Sequence, residues 1–372
     1  MKVFIFAYSN KACETAGRVA ECLGGCGING AGADASASAG ADKILCFTID
    51  KYLRTGFSVI GEGCKTSRDF YGKCFEEGDA LVSVGSCGIA VRHIAPFIKD
   101  KAKDPAVIVI DELGKYVIPI LSGHIGGANR LAGEIAEKIG AVPVITTATD
   151  INGRFSVDTW AAENGYVIGS MKLAKAVSAE ILERDVPLLS QLPVSGRLPS
   201  GIFDWAAPGK AAALGDRKPE IGICIGYKTE SLENEPFSRT LQLIPKCLTL
   251  GIGCRKGTTK EKIAEAVKAV FEGAGLDLRA IKEAASIDIK KDESGLLEYC
   301  SDLGVPVRFY SAEELSNAKG EFSASEFVKN VTGVDNVCER AAIIASDRII
   351  VKKTAFDGVT VAVGLEDKEV LF

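Results

Sequence analysis

Two hydrophobic rhythms alternate along the chain. Short, predominantly apolar runs, among them "KVFIFA", "ALVSV", "AVIVI" and "CLTLGIG", have the length and the flanking turn residues of buried strands. Between them, apolar residues recur every three or four positions, the period of a helix with one face on a core. One such stripe holds Ala128, Leu131, Ala132, Ile135, Ala136 and Ile139. Read in order, the first part gives strand "MKVFIFAYS", helix "KACETAGRVAECLGG", strand "GDALVSVG" and helix "SCGIAVRHIAPFI". The runs "AVIVID" and "YVIPILS", joined by "ELGK", read as a hairpin. The helix from Ala128 follows, and "AVPVITTATD" closes the unit as a strand.

A second series begins near Leu243. It runs from strand "CLTLGIGC" to helix "TTKEKIAEAVKAVFEGAG", then strand, helix, strand, helix through "AASIDIKKDESGLLEYCSDLGVPVRFYSAEEL". A closing hairpin, "RIIVKKTAFDGVTVAVG", follows. Thr258 with Glu261, and Ser311 with Glu314, have the spacing of a capping box. Residues 151–220 carry a weaker pattern: a helix at "MKLAKAVSAEILERD" and turn-rich "LPVSGRLPSG" and "DWAAPGK". Alternating strands and helices predict an α/β fold. The expectation is two α/β sandwich domains with mainly parallel sheets, residues 1–145 and 243–372, joined by a smaller middle domain, residues 146–242. A Gly/Ala-rich segment near residues 24–41 reads as a surface loop without an assigned role.

Composition narrows the classes. A chain of 372 residues suits two or three domains. A net charge of −5 argues against a general nucleic-acid partner. No apolar run approaches the roughly 20 residues of a membrane span, so no membrane partner is expected. The apolar start lacks a long hydrophobic region and a small-residue cleavage site, so it reads as a first strand. Twelve scattered cysteines without a secretory signal predict free thiols and a cytoplasmic location. Cys22 and Cys26 in "CLGGC" have no second pair at zinc-site spacing, so no protein metal is expected.

In such sheets, ligands sit at the carboxyl ends of strands. Three glycine loops follow a strand and open a helix: "GSCGIAVR" (residues 85–92), "SGHIGGAN" (residues 122–129) and "GCRKG" (residues 253–257). Outward N–H groups and the helix dipole make such a loop an anion site. None is a phosphate-binding Walker loop or a G-x-G-x-x-G fingerprint. The candidate binding residues are Gly85, Ser86, Gly88 and Arg92 in the first loop, and Gly123, Gly126, Gly127 and Asn129 in the second. Thr146, Thr147 and Asp150 join them from the next strand end, and Gly253, Cys254, Arg255, Lys256 and Gly257 from the third loop. Tight turning explains each loop equally well, and helix capping explains Asp150.

His124 is one of two histidines in the chain. It stands just before a helix start, where the dipole opposes positive charge. It is therefore expected to stay neutral and to serve as a general base, with Ser122 positioning water. A histidine that merely bonds a local carbonyl fits the same pattern. His93 lies among apolar neighbours and reads as structural. Arg255, Lys256 and a helix start beside Cys254 are expected to lower its thiol pKa, opening a nucleophilic role; chance placement among twelve cysteines explains it too.

The stretch "GIAVRHIAPFIKDKAKDPAVIVIDELGKYVIPILSGHIGGANRLAGEIAEKIGAVPVITTATD" resembles the N-terminal signature of the cobalt-precorrin-5A hydrolase family of anaerobic cobalamin (vitamin B12) biosynthesis. "GIGCRKGTTKEKIAEAV", "ASIDIKKDESGL" and "VPVRFYSAEEL" resemble that family's C-terminal domain. The resemblance implies a small-molecule substrate, a cobalt-corrinoid with a δ-lactone on ring A and many carboxylates. Water would open the lactone, and the former bridging carbon would leave with its methyl as acetaldehyde, giving cobalt-precorrin-5B. It implies no cofactor, since cobalt arrives with the substrate. Transient contact with other cobalamin-pathway enzymes and a homodimer are both compatible with it. Two other classes stay open at this point: a non-catalytic corrinoid carrier, and a nucleotide-dependent α/β enzyme.

Overall fold

A computed structural model describes residues 1–24, 43–100, 103–208, 218–229, 237–326 and 332–372. Beyond Gly24, the Gly/Ala-rich segment lies outside the described residues, as does Cys26. The chain divides into two compact units, Met1–Thr159 and Trp160–Phe372.

The first unit holds a seven-stranded sheet in the order β3-β2-β1-β4-β5-β6-β7. Its strands are β1 (Lys2–Ala7), β2 (Lys43–Thr48), β3 (Phe57–Val59), β4 (Ala80–Val84), β5 (Ala106–Ile110), β6 (Tyr116–Leu121) and β7 (Val142–Pro143). Alternation along β1 shows why helices cover both faces. Val3, Ile5 and Ala7 point into one core with helices α1 (Asn10–Cys22) and, later in the chain, Ala128–Ile139. Phe4 and Phe6 point into the other, against α2 (Ser67–Glu77) and α3 (Cys87–Ile94). Strands buried on both faces read as continuous apolar runs. The first core is lined by alanines at helical spacing, so the helices approach the sheet closely; the second is filled by Phe4, Phe6, Phe47, Phe70 and Tyr71.

Strand direction decides where the loops go. β1, β4 and β5 are mutually parallel, but β6 runs antiparallel to β5, with Leu121 opposite Val107, as the hairpin reading expects. The end of β6 therefore lies at the sheet edge where β5 begins, opposite the edge where β4 ends. The loop after β6 opens α4 (Ala128–Ile139) there. The strand expected over "AVPVITTATD" is reduced to two residues, because the chain leaves the sheet after Pro143 and forms α5 (Ala148–Ile151). Helix α6 (Val157–Glu163) follows and crosses the unit boundary.

The second unit contains two five-stranded sheets among the described residues. Residues 166–245 form one, with strands Val186–Ser190, Ile221–Ile225 and Arg239–Pro245 parallel at its centre. Residues 248–365 form the other, around Leu248–Cys254. That strand pairs in parallel with Ile281–Ile287 and antiparallel with Val359–Leu365. The strand Arg348–Phe356 completes the expected closing hairpin. Helices Lys260–Gly273 and Ser294–Leu303 bury Ile263, Val267, Phe271, Leu296 and Cys300 against this sheet. The Ser311 capping box is present in both directions. The Thr258 box is not: Thr259 is the cap residue, and the Thr258 hydroxyl donates to the Arg255 carbonyl at 2.8 Å, closing the turn instead.

Candidate active site

The loop after β6 is shaped by its small residues. Ser122 adopts a positive φ of 55°, unusual for a residue with a side chain. Its hydroxyl donates to the Asp104 carbonyl at 2.9 Å and its own carbonyl accepts from Ala128 N–H at 3.1 Å. A Cβ on Gly126 would stand 2.4 Å from Ser122 Cβ, and one on Gly123 2.7 Å from Asn129 Oδ1. These glycines are therefore required by close packing within the loop. Gly127 N–H donates to the His124 carbonyl at 2.8 Å, completing the turn.

That turn delivers His124 into a cluster of polar groups from three helices. From α5, Asp150 Oδ2 lies 3.3 Å and Thr149 Oγ1 3.2 Å from His124 Nε2. From α6, Asp158 Oδ1 lies 3.3 Å from Nδ1. From α4, Asn129 Nδ2 donates to Asp150 Oδ2 at 2.7 Å and to Thr147 Oγ1 at 2.9 Å, tying the two helices together. Asp158 is almost fully buried, whereas the Asp150 side chain keeps about a third of its surface exposed. The imidazole is thus closed on its Asp158 side, and Asp150 faces it from the more open one.

This environment works against the neutrality expected of His124. Its pKa is raised above the ordinary histidine value, first by the hydrogen bond to Asp158; burial opposes the rise, and the charges of Asp158 and Asp150 add to it. A hydrogen-bonded carboxylate outweighs the partial charge of a helix start three residues away. Asp150 is not a cap: it sits inside α5, held by Asn129.

The other candidates fall elsewhere. Thr147 joins the cluster as the Asn129 acceptor, while Thr146 is exposed. Gly85, Ser86 and Gly88 lie after β4, at the opposite sheet edge from His124, and Arg92 is exposed on α3. His93 stacks on Tyr71 with ring centroids 4.0 Å apart, and its Nδ1 lies 3.2 Å from the Tyr8 hydroxyl; burial lowers its pKa. Gly253, Cys254, Arg255, Lys256 and Gly257 belong to the second unit. There Gly257 N–H already donates to the Glu293 carboxylate at 2.9 Å, so the chain's own acid occupies that anion position. The thiol of Cys254 is pushed up by burial, not lowered; Lys290 counters only in part.

Asp158 and Thr149 were not legible as site residues. Asp158 stands 34 positions after His124, in "FSVDTW", a stretch with no motif of its own. Among the described residues, no three His, Cys, Asp or Glu side chains converge in a geometry that would hold a metal ion.

The fold and site define a multi-sheet α/β protein whose first unit carries an Asp–His–Asp cluster on a glycine loop. Residues 69–150 match the family described as "Cobalamin synthesis G N-terminal", and residues 248–364 match "Cobalamin synthesis G C-terminus". The chain is 33% identical over 341 residues to a cobalt-precorrin-5A hydrolase of Salmonella typhimurium, covering 87% of this chain and 91% of that protein. It is 33% identical over 301 residues to a cobalt-precorrin-5A hydrolase of Priestia megaterium, covering 78% and 79%. A solved structure of a putative cobalamin biosynthesis protein G homolog from Sulfolobus solfataricus is 21% identical and covers 97% of this chain and 96% of that one, with a TM-score of 0.39. The chain belongs to the cobalt-precorrin-5A hydrolase family. It is a hydrolase of cobalamin synthesis, and no helix among its described residues is long and apolar enough to cross a membrane.

Proposed function

We propose that this chain opens the ring-A δ-lactone of cobalt-precorrin-5A and releases acetaldehyde, with the His124 cluster as its acid–base centre. The observation that carries the reading is the extent of the match, one third identity over 87% of the chain. Most of the His124 cluster lies inside the matched N-terminal stretch, residues 69–150.

The chemistry asks for a base, an oxyanion partner and a proton donor. In its neutral form, His124 takes a proton from water at Nε2, and the hydroxide adds to the lactone carbonyl. The Gly126 N–H, in the same loop, is the donor for the oxyanion. Collapse of the intermediate breaks the ester C–O bond, and His124 returns the proton to the departing alkoxide. The new alcohol then gives its proton back to the base. Its C–C bond to the macrocycle breaks, the electron pair stays on the macrocycle, and acetaldehyde leaves. Asp150 holds the imidazolium between these transfers. The cobalt belongs to the substrate.

The test is anaerobic incubation of the purified protein with cobalt-precorrin-5A, with acetaldehyde read by coupled NADH oxidation. Equimolar acetaldehyde supports the reading. None, from well-folded protein and fresh substrate, contradicts it.

A further inference from the structure

We infer that Asp158 is a positioning residue for this reaction: its buried carboxylate fixes a proton on His124 Nδ1 and leaves Nε2 as the atom that exchanges protons. The inference rests on the proposed role of the His124 cluster and goes beyond it by assigning the two ring nitrogens.

The argument is one of hydrogen-bond accounting. Asp158 Oδ1 accepts from Ser156 Oγ at 3.0 Å and from Thr159 N–H at 3.1 Å, and the imidazole Nδ1 stands 3.3 Å from it. The carboxylate can only accept, so an unprotonated Nδ1 would set a lone pair against it. With 4% of the residue exposed, little water is at hand to separate them. Nδ1–H is therefore the state this side of the ring permits.

The opposite side permits two states. Asp150 Oδ2 at 3.3 Å accepts from a protonated Nε2, and the Thr149 hydroxyl at 3.2 Å donates to a bare one. Asn129, which donates to Asp150, keeps that carboxylate in place in either case. Nε2 can thus gain and lose a proton without leaving a partner unsatisfied. Among the described residues, two acids face the ring, Asp158 from α6 and Asp150 from α5. An Asp that sets tautomer and orientation while the other nitrogen works is the logic of catalytic Asp–His pairs.

The chain's two histidines make the test direct. In ¹⁵N-histidine-labelled full-length protein, His124→Asn assigns the pair. His124 is expected to titrate above the ordinary histidine value of about 6.5, with Nδ1–H as its neutral tautomer, and His93 below that value. Asp158→Ala removes the acceptor that faces Nδ1 and leaves Asp150 to accept from Nε2; it should switch the neutral tautomer to Nε2–H and lower the midpoint. Asp150→Asn should lower the midpoint and keep Nδ1–H. In turnover, Asp158→Ala should reduce kcat by roughly 10²-fold with little change in KM, and move the rising limb of the pH profile to lower pH. Neutral His124 in the wild type as Nε2–H would overturn the assignment, even if the Asp158 variant did not fold. So would an Asp158→Ala protein with unchanged tautomer and midpoint. The expected tautomer switch with undiminished turnover would instead show that the cluster is built as described and is not where the chemistry occurs. That outcome removes Asp158 from the reaction together with the His124 proposal.

Discussion

Replacing Gly123 with alanine tests whether the glycine loop and the acid cluster are mechanically coupled. The new Cβ would stand 2.7 Å from Asn129 Oδ1 and 3.1 Å from its Cγ and Nδ2. Restoring ordinary contact moves that amide by about 0.7 Å, since interiors have no slack to absorb the atom. Its hydrogen bonds to Asp150, at 2.7 Å, and to Thr147, at 2.9 Å, would then stretch to the edge of the useful range. One is neutral, worth about 1 kcal/mol, and one is charge-assisted, worth about 1.5–3 kcal/mol. Asp150 keeps about a third of its surface, so water takes over part of the second. A net cost of about 2 kcal/mol follows, or roughly 30-fold in local opening. Hydrogen exchange read over residues 122–131 measures it, because the amides of Ala128 and Asn129 close that turn. The diagnostic is the cycle with Asn129→Ala. Once the amide is gone, Gly123→Ala should cost little more, so the double variant should resemble Asn129→Ala alone. Strictly additive costs would refute the coupling.

Three further expectations follow from the same structure. Gly251→Ala would put a Cβ 1.9 Å from the Cys338 carbonyl oxygen, a backbone clash under the central strand of the C-terminal sheet, and should cost about 3 kcal/mol or more in urea denaturation of the second unit. In the folded protein, Cys46, Cys74, Cys247 and Cys300, each pushed up by burial to about 12, should resist iodoacetamide at neutral pH, while all twelve thiols should react after denaturation; mass spectrometry reads both. The raised pKa of His124 means that the folded state binds its proton more tightly than the unfolded chain. Its contribution to stability is therefore full below the ordinary histidine value and is lost as pH rises through the folded midpoint. Denaturation midpoints of wild type minus His124→Asn should shrink in that direction.

The architecture was legible because it follows from local rules. β1 and β5 are apolar without a break, and α4 carries a single buried stripe, so strand and helix declare themselves. The site was legible only in its loop. "SGHIGGAN" announces tight packing around a histidine, and the hairpin reading already turns β6 back against β5, but the loop's place in the sheet emerges only when the segments are combined. Whether the loops after β4 and β6 share an edge depends on β6 turning back against β5. The direction in which the fold moves the His124 pKa was misread for a similar reason. The helix start is visible in the sequence, whereas Asp158, which outweighs it, arrives through the fold from a stretch without a signature. Likewise, the Gly257 amide looked open until Glu293, from another helix start, was seen to occupy it.

The central claim is that His124 Nε2 moves the protons of lactone opening. Single-turnover acetaldehyde release by His124→Asn tests it, with corrinoid binding followed separately by absorbance. Two hydrogen-bonding partners, Asp150 and Asp158, are themselves retained in this variant, so substrate should bind nearly as well as to the wild type. The account predicts that bound substrate reacts roughly 10²–10⁴-fold more slowly, the worth of a positioned base. Release from bound substrate at the wild-type rate would contradict it and remove His124 from the chemistry.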